Sequence, residues 1–249
     1  MRSLIGYFGL ARLAGATAPV IETAIVAPLR EAGFEILRAG HFNCPAALDN
    51  PRSGERGAIP DADPARLLSL DACEQEVQTD DAIAEAFATA RAYPDAFGDG
   101  YRSLRNLCHQ LRSLDRLWRL LAAFRPGPED VVLLLRPDLL YLDPLVIGRD
   151  LGELLAGGID LVVPAWQSWG GLNDRFAFAT PHAARVYATR YRLIADGCTA
   201  MGGLHAERFL AFSAGLHGLR VARTPLRAAR LRVNGDIAGN DLRMLDVQA

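Results

Sequence analysis

Apolar positions along this chain follow two rhythms. Runs that are apolar on both faces occur at residues 3–8, 34–38, 131–135 and 159–163, and each reads as a buried strand. Longer stretches repeat their apolar residues at three- and four-residue steps. The clearest spans 101–124, where Leu104, Leu107, Leu111, Leu114, Trp118 and Leu121 share a face and Asn106, Gln110 and Ser113 form a polar stripe on another. Helices are also predicted over 79–92, 183–195 and 205–216, with a late strand near 220–222. Near the start, Thr17 can cap a helix running to about Glu31, with Pro19 near its first turn and Pro28 shortening or kinking its last. Strand, helix and strand over the first 38 residues predict parallel strands joined by a right-handed crossover. Residues 39–65 are rich in proline, glycine and charge, lack any period, and read as a long flexible loop or flap. No repeat or linker interrupts the pattern, which predicts a single α/β domain with a mostly parallel sheet.

Ligands of open α/β sheets bind beyond the carboxyl ends of the strands. Three polar clusters follow predicted strands here: Gly9–Leu10–Ala11–Arg12, then Arg136–Pro137–Asp138, then the stretch WQSWGGLNDRF at 166–176. In a parallel sheet all three meet on one edge. Asp138, held just past a buried strand, can take a hard cation such as Mg²⁺ or Mn²⁺, or it can form a salt bridge with Arg136 that caps the strand end. Asp143 precedes a proline and reads as a turn former. The literal D-x-D at Asp61 and Asp63 follows no strand and reads as solvated loop charge.

Composition narrows the chemistry. The chain has 249 residues, half of them hydrophobic, which is enough for a core. Its net charge of −2 and the lack of a known module argue against nucleic-acid binding. All 27 basic residues are arginine, so a phosphate must be held by guanidinium, backbone N–H or metal. The absence of lysine and the abundance of alanine fit a GC-rich bacterial genome. Four cysteines without a C-x-x-C spacing read as reduced thiols of a cytoplasmic protein. No apolar run approaches the ~18 residues of a membrane span, and residues 1–12 lack the marks of a signal peptide.

Taken in order, GLAR, NLCHQLRSLDRLW, VVLLLRPDLLYLDP, WGGLNDRFAFA, LHAERFL and RAARLRVNGD resemble bacterial GT-A-type glycosyltransferases of surface-polysaccharide and lipopolysaccharide synthesis, the WavE-like and related groups. The resemblance implies one GT-A-like domain with helices on both faces of the sheet. Residues 1–150 would form a nucleotide-binding half and 151–249 a half for sugar and acceptor. It implies a nucleotide-diphosphate sugar as donor and a saccharide or glycolipid hydroxyl as acceptor. By that analogy Gly9, Arg12, Asn106, Gln110, Arg136 and Asp138 hold the donor. Arg136 stands where the family has the first acid of D-x-D. Either Asp138 binds a divalent cation, Mn²⁺ or Mg²⁺, or Arg136 replaces part of that charge and no metal is needed; the sequence leaves both open.

The remaining candidates have readings of their own. Gly170 and Gly171 let the backbone approach a ligand, Trp166 and Trp169 offer flat faces for sugar rings, and Asn173 and Asp174 can bond hydroxyls. Each also fits a glycine-rich turn with tryptophans in a core. His205 and Glu207 open a helix; the H-x-E pattern of zinc deaminases is present, but their P-C-x-x-C is not. In the transferase reading Glu207 is the general base and Asp174 a sugar-binding carboxylate; otherwise Glu207 is an acid favoured by the helix dipole. Arg220, Arg223, Arg227, Arg230 and Arg232 can face a diphosphate leaving group, an anionic membrane surface at the inner membrane, or solvent. Two rival functions stand beside the transferase. A sugar nucleotidyltransferase would want a lysine in its glycine-rich loop, and a non-catalytic nucleotide-sugar or carbohydrate binder would bind without turnover.

Overall fold

Strand β1, Arg2–Gly9, is buried along nearly its whole length because both of its faces are covered. Leu4 and Phe8 point to one side and Ile5 and Tyr7 to the other, the two-residue alternation of a strand. The computed structural model describes residues 1–50, 55–57, 63–239 and 241, without the side chains of 49 and 50. Around β1 runs a seven-stranded sheet in the order β10-β8-β9-β6-β1-β2-β5. Its other strands are β2 (Glu35–Cys44), β5 (Ala72–Val77), β6 (Val131–Leu135), β8 (Leu161–Pro164), β9 (Phe176–Ala179) and β10 (Val221–Thr224). All neighbours are parallel except β9, which is antiparallel to both β6 and β8. Two short pairs lie outside it: β3 (Leu48–Asn50) with β4 (Glu55–Gly57), and β7 (Leu139–Tyr141) with β11 (Ala228–Arg230). The single α/β domain with a mostly parallel sheet is therefore as expected.

The long helix, Arg102–Ala123, covers one face of the sheet with its leucine stripe. It lies close: a Cβ on Gly6 would sit 2.8 Å from Leu117 Cδ2 and 2.9 Å from Leu121 Cδ1, so any larger residue at the centre of β1 would push the helix leucines aside. The helices over Ala14–Glu31 cover the other face. Here the structure departs from expectation. Helix begins at Ala14, so Thr17 lies inside it, and the Thr17 hydroxyl donates to the Pro137 carbonyl at 2.6 Å. Pro28 does not break the chain of turns. It removes an N–H that would have bonded the Ala24 carbonyl, and Leu145 N–H takes that oxygen instead at 2.8 Å. The turns between, Glu22–Val26, widen to the π form.

Four further differences bear on the site. The described residues of 39–65 are more regular than the composition suggests: β2 continues buried through Asn43, and Glu55 lies in β4. Asp63 caps the short helix Pro64–Leu67 by accepting from Arg66 N–H at 3.1 Å, and Asp61 lies outside the described residues. Strand β5 turns its acids Glu74 and Glu76, half-buried, to the long helix and exposes Cys73, Gln75 and Val77, so it carries no apolar alternation. Strand β9 is only four residues of FAFA behind a glycine-rich loop, too short for its period to stand out. Among the described residues no helix is long and apolar enough to cross a membrane.

Candidate functional site

The parallel strands β1, β6 and β8 all end on one edge, which brings GLAR, RPD and the tryptophan–glycine loop together. Strand β9 adds to this by running the other way. Its amino end is on that edge, so Asn173, Asp174 and Arg175 stand at the rim just before it. The helix Ala206–Leu216 starts there too, with His205 and Glu207. Between these pieces lies a cleft of about 470 Å³ lined by Gly9, Arg12, Asn106, Gln110, Arg136, Trp169, Asp174, His205 and Glu207 among others.

One wall is a lattice of arginines and acids. Arg136 grips Asp138 with two N–H groups, Nε to Oδ1 at 2.9 Å and Nη2 to Oδ2 at 2.7 Å. Arg12 donates to the same Oδ2 and, with its other Nη, to Glu55 Oε1 at 2.6 Å. Glu55 Oε2 takes Arg232 Nη1 at 2.6 Å. Arg230 holds Asp241 through Nε at 2.8 Å and Nη2 at 2.7 Å. The C-terminal arginines reach this wall because β11 pairs with β7, which follows RPD directly, with Arg230 opposite Leu139. Arg220 and Arg227 do not reach it: they pair with Asp160 and Asp143. Asp138 is only 1% exposed. Burial raises its pKa, but the charges of Arg136 and Arg12 outweigh that and hold the carboxyl well below the usual range.

That environment settles whether Asp138 suits a metal. A hard divalent cation needs carboxylate oxygens with lone pairs turned toward it. Both Asp138 oxygens are committed to guanidinium N–H groups, and the neighbouring cations repel another positive charge. Asp138 does not line the cleft. The donor set does not fit a bound Mn²⁺ or Mg²⁺, and the salt-bridged strand cap is the reading the geometry favours.

From this wall Gln110 leads across the cleft. Its Oε1 accepts from Arg136 Nη1 at 2.8 Å, and its Nε2 donates to Asp174 Oδ2 at 3.0 Å. Beneath it, Ser113 of the same stripe ties the floor together. Its hydroxyl accepts from Gly9 N–H at 2.9 Å, donates to the His41 carbonyl at 2.8 Å, and lies 3.0 Å from His41 Nδ1. Gly9 leaves β1 at φ +95°, a turn that a side chain would strain.

The opposite wall carries Asp174 and Glu207. Glu207 is 8% exposed, and burial, then the negative charge of Asp174, push its pKa up to about 7. His205 Nδ1 lies 3.2 Å from Glu207 Oε2, and its ring stacks on Phe97 with centroids 5.3 Å apart. Arg175 is buried beside them and donates to Gln167 Oε1 at 2.8 Å; burial, then Arg230, lower its pKa to about 10.

Two of the expected sugar-binding residues have other duties. Trp166 is buried against Phe176 and donates its Nε1–H to the Leu226 carbonyl at 3.0 Å, so its face is closed to a ligand. Asn173 is buried, donating to the Trp166 carbonyl at 2.5 Å and accepting from Arg175 N–H at 2.9 Å, which pins the loop. Both serve the core of the glycine-rich turn. Gly170 has φ +77° beside the cleft, and Gly171 is pressed onto the helix carrying Glu207, where a Cβ would meet the Glu207 carbonyl at 2.1 Å. Trp169 is 55% exposed on the rim with φ +43°, an open apolar face held in a strained backbone. Glu55, Gln167, Arg175 and Phe97 carry no mark of their own in the sequence and join the site only through the fold. Arg175 is adjacent to Asp174 in WQSWGGLNDRF, a signal that points to it, whereas Glu55 lies in a stretch without period.

No protein-family model matches the chain, and no curated protein is significantly similar to it. Among solved structures the chain is similar to mouse xyloside xylosyltransferase 1 in its apo form, at 16% identity and a TM-score of 0.40, over 89% of this chain and 84% of that one. It is also similar to a glycosyltransferase involved in the glycosylation of the major capsid of PBCV-1, at 10% identity and a TM-score of 0.41, over 90% of this chain and 81% of that one.

Proposed function

We propose that the chain is a glycosyltransferase that moves a sugar from a nucleotide-diphosphate donor to a saccharide or glycolipid hydroxyl. The observation that carries this reading is the division of one cleft into two walls, arginines on one and a buried acid pair on the other. A diphosphate belongs against guanidinium groups, which fork onto its oxygens and stabilise the charge that grows as the sugar–phosphate bond breaks. Arg12, Asn106, Gln110 and Arg136 hold the donor in this reading, with Gly9 keeping the backbone close to it. Asp138 acts from behind by fixing both arginines. The half of the chain up to about residue 150 supplies most of that side.

On the other wall Glu207 is the general base. A carboxylate titrating near neutrality can take the acceptor proton as the new bond forms. Asp174 serves the sugar and, through its charge, keeps Glu207 basic. Trp169 and His205 offer surfaces to the acceptor. The finer assignment to surface-polysaccharide synthesis, with a glycolipid acceptor met at the inner membrane surface, rests on the order of the sequence motifs. The non-catalytic binder is favoured by no observation over the transferase, because a buried base facing a cleft has no need to exist in a binder. The test is release of nucleoside diphosphate from a panel of nucleotide sugars, with and without saccharide acceptors. Turnover with any donor is expected; binding without turnover would leave the binder standing in its place.

A further inference from the structure

We propose that the cleft takes the donor diphosphate without a divalent cation, the phosphate charge being met by Arg12, Arg136, Arg230 and Arg232. This rests on the nucleotide-sugar reading above and specifies how its anionic part is held. The argument begins with the acids of the arginine wall. Asp138 gives both oxygens to Arg136 and Arg12. Glu55 takes Arg12 on one oxygen and Arg232 on the other. Asp241 receives Arg230 on both, with Gln167 Nε2 on Oδ1 at 3.1 Å. Each carboxylate that could have held a cation on this wall already faces guanidinium groups. To admit a metal, an arginine would have to leave its acid and stay unpaired in a buried place, which is strongly unfavourable.

The same wall is short of negative charge. Arg12 is 6% exposed, lines the cleft, and its Nε–H finds no hydrogen-bond partner among the described residues. Arg232 also lines the cleft and is crowded by Arg230 and Arg12, so that burial and these like charges lower its pKa. Such a cluster gains from a bound dianion, which accepts from the guanidinium N–H groups that line the cleft and offsets the mutual repulsion. Guanidinium forks can replace the cation that usually bridges two phosphates, because they deliver charge and direction together. No bond to the sugar is made or broken in this step; it concerns binding alone.

The experiment is calorimetric titration of inorganic pyrophosphate and of UDP, GDP, CDP and ADP, each in EDTA and again in excess MnCl₂. At least one probe is expected to bind with a Kd that agrees within about twofold between the two buffers. Arg232→Gln is expected to raise that Kd about tenfold or more, the loss of a charge-assisted hydrogen bond. Binding that requires Mn²⁺ would overturn the cation-free inference and leave the transferase reading intact. No binding of any probe in either buffer would overturn both. An unchanged Kd in a folded Arg232→Gln protein would refute the arginine assignment. If that variant does not fold, the wild-type comparison of the two buffers still decides.

Discussion

In the proposed transferase Glu207 is the base, and its ionisation gives two expected outcomes. As a base it must be deprotonated, so turnover should rise with pH through about 7. Glu207→Gln should lower kcat by about 10²- to 10⁴-fold while leaving nucleotide binding near wild type, since the proposed donor site is on the other wall. The stability sign is opposite. A carboxyl whose folded pKa is raised contributes stability that is fully present below its unfolded value, about 4.3, and lost as pH rises through the folded value. The melting temperature of the wild type, measured relative to Glu207→Gln, should therefore climb as pH falls from 8 towards 5. A flat difference across that range would mean that Glu207 titrates as an ordinary surface acid.

At the scale of elements, the decisive contact is between a loop and a helix start. Gly171 lies against the backbone of Glu207, and Leu172 N–H donates to the Glu207 carbonyl at 2.9 Å. Gly171→Ala must push the two apart. Overpacking of this kind costs about 1–3 kcal/mol, or roughly 2–4 °C of melting temperature per kcal/mol in a domain of this size. Turnover should fall with it, because the base is displaced from the acceptor. A variant as stable and active as wild type would show that the helix start tolerates the shift. This contact was not legible in the sequence, although its glycine was. What could be read were elements whose burial leaves a strong imprint: Val131–Leu135, apolar on both faces, and the helix with leucines at every turn. Elements held by position rather than by pattern were lost. Strand β5 is a polar edge whose acids Glu74 and Glu76 pair with Arg116 and Arg112 of the long helix. Strand β9 is too short to show a period, yet its reversed direction is what delivers Asp174 to the rim. The site followed the same division. Residues next to strong strands are legible; for Trp166 and Asn173 the sequence leaves a sugar contact and a turn core both open, and packing favours the core; Glu55 comes from a segment with no periodicity.

At the scale of the whole molecule, the arginine–acid lattice joins both ends of the chain to its middle, through Arg12, Glu55, Asp138 and Arg232. Asp138→Asn removes the charge on which two arginines depend, and breaking such a buried arrangement costs about 3–5 kcal/mol. The pH dependence follows from the lowered pKa. A carboxyl depressed in the fold contributes stability that is present above its unfolded value, about 3.9, and lost as pH falls through its folded one. Calorimetry of wild type and Asp138→Asn should show a wide gap in melting temperature at pH 7 that narrows only below about pH 4. A gap that closes already near neutrality would contradict the ion-paired state of Asp138. The loop of the β8–β9 hairpin is tied to this lattice at Gln167, whose Nε2 donates to Asp241 Oδ1 at 3.1 Å. Both feet of that hairpin are planted on the same rim by antiparallel pairing, with Trp169 at its exposed crest. Its neighbours on both sides are fastened to core and lattice, so the side chain at position 169 can change while the loop keeps its path, and in the proposed transferase one rim surface can be exchanged for another at little cost in stability.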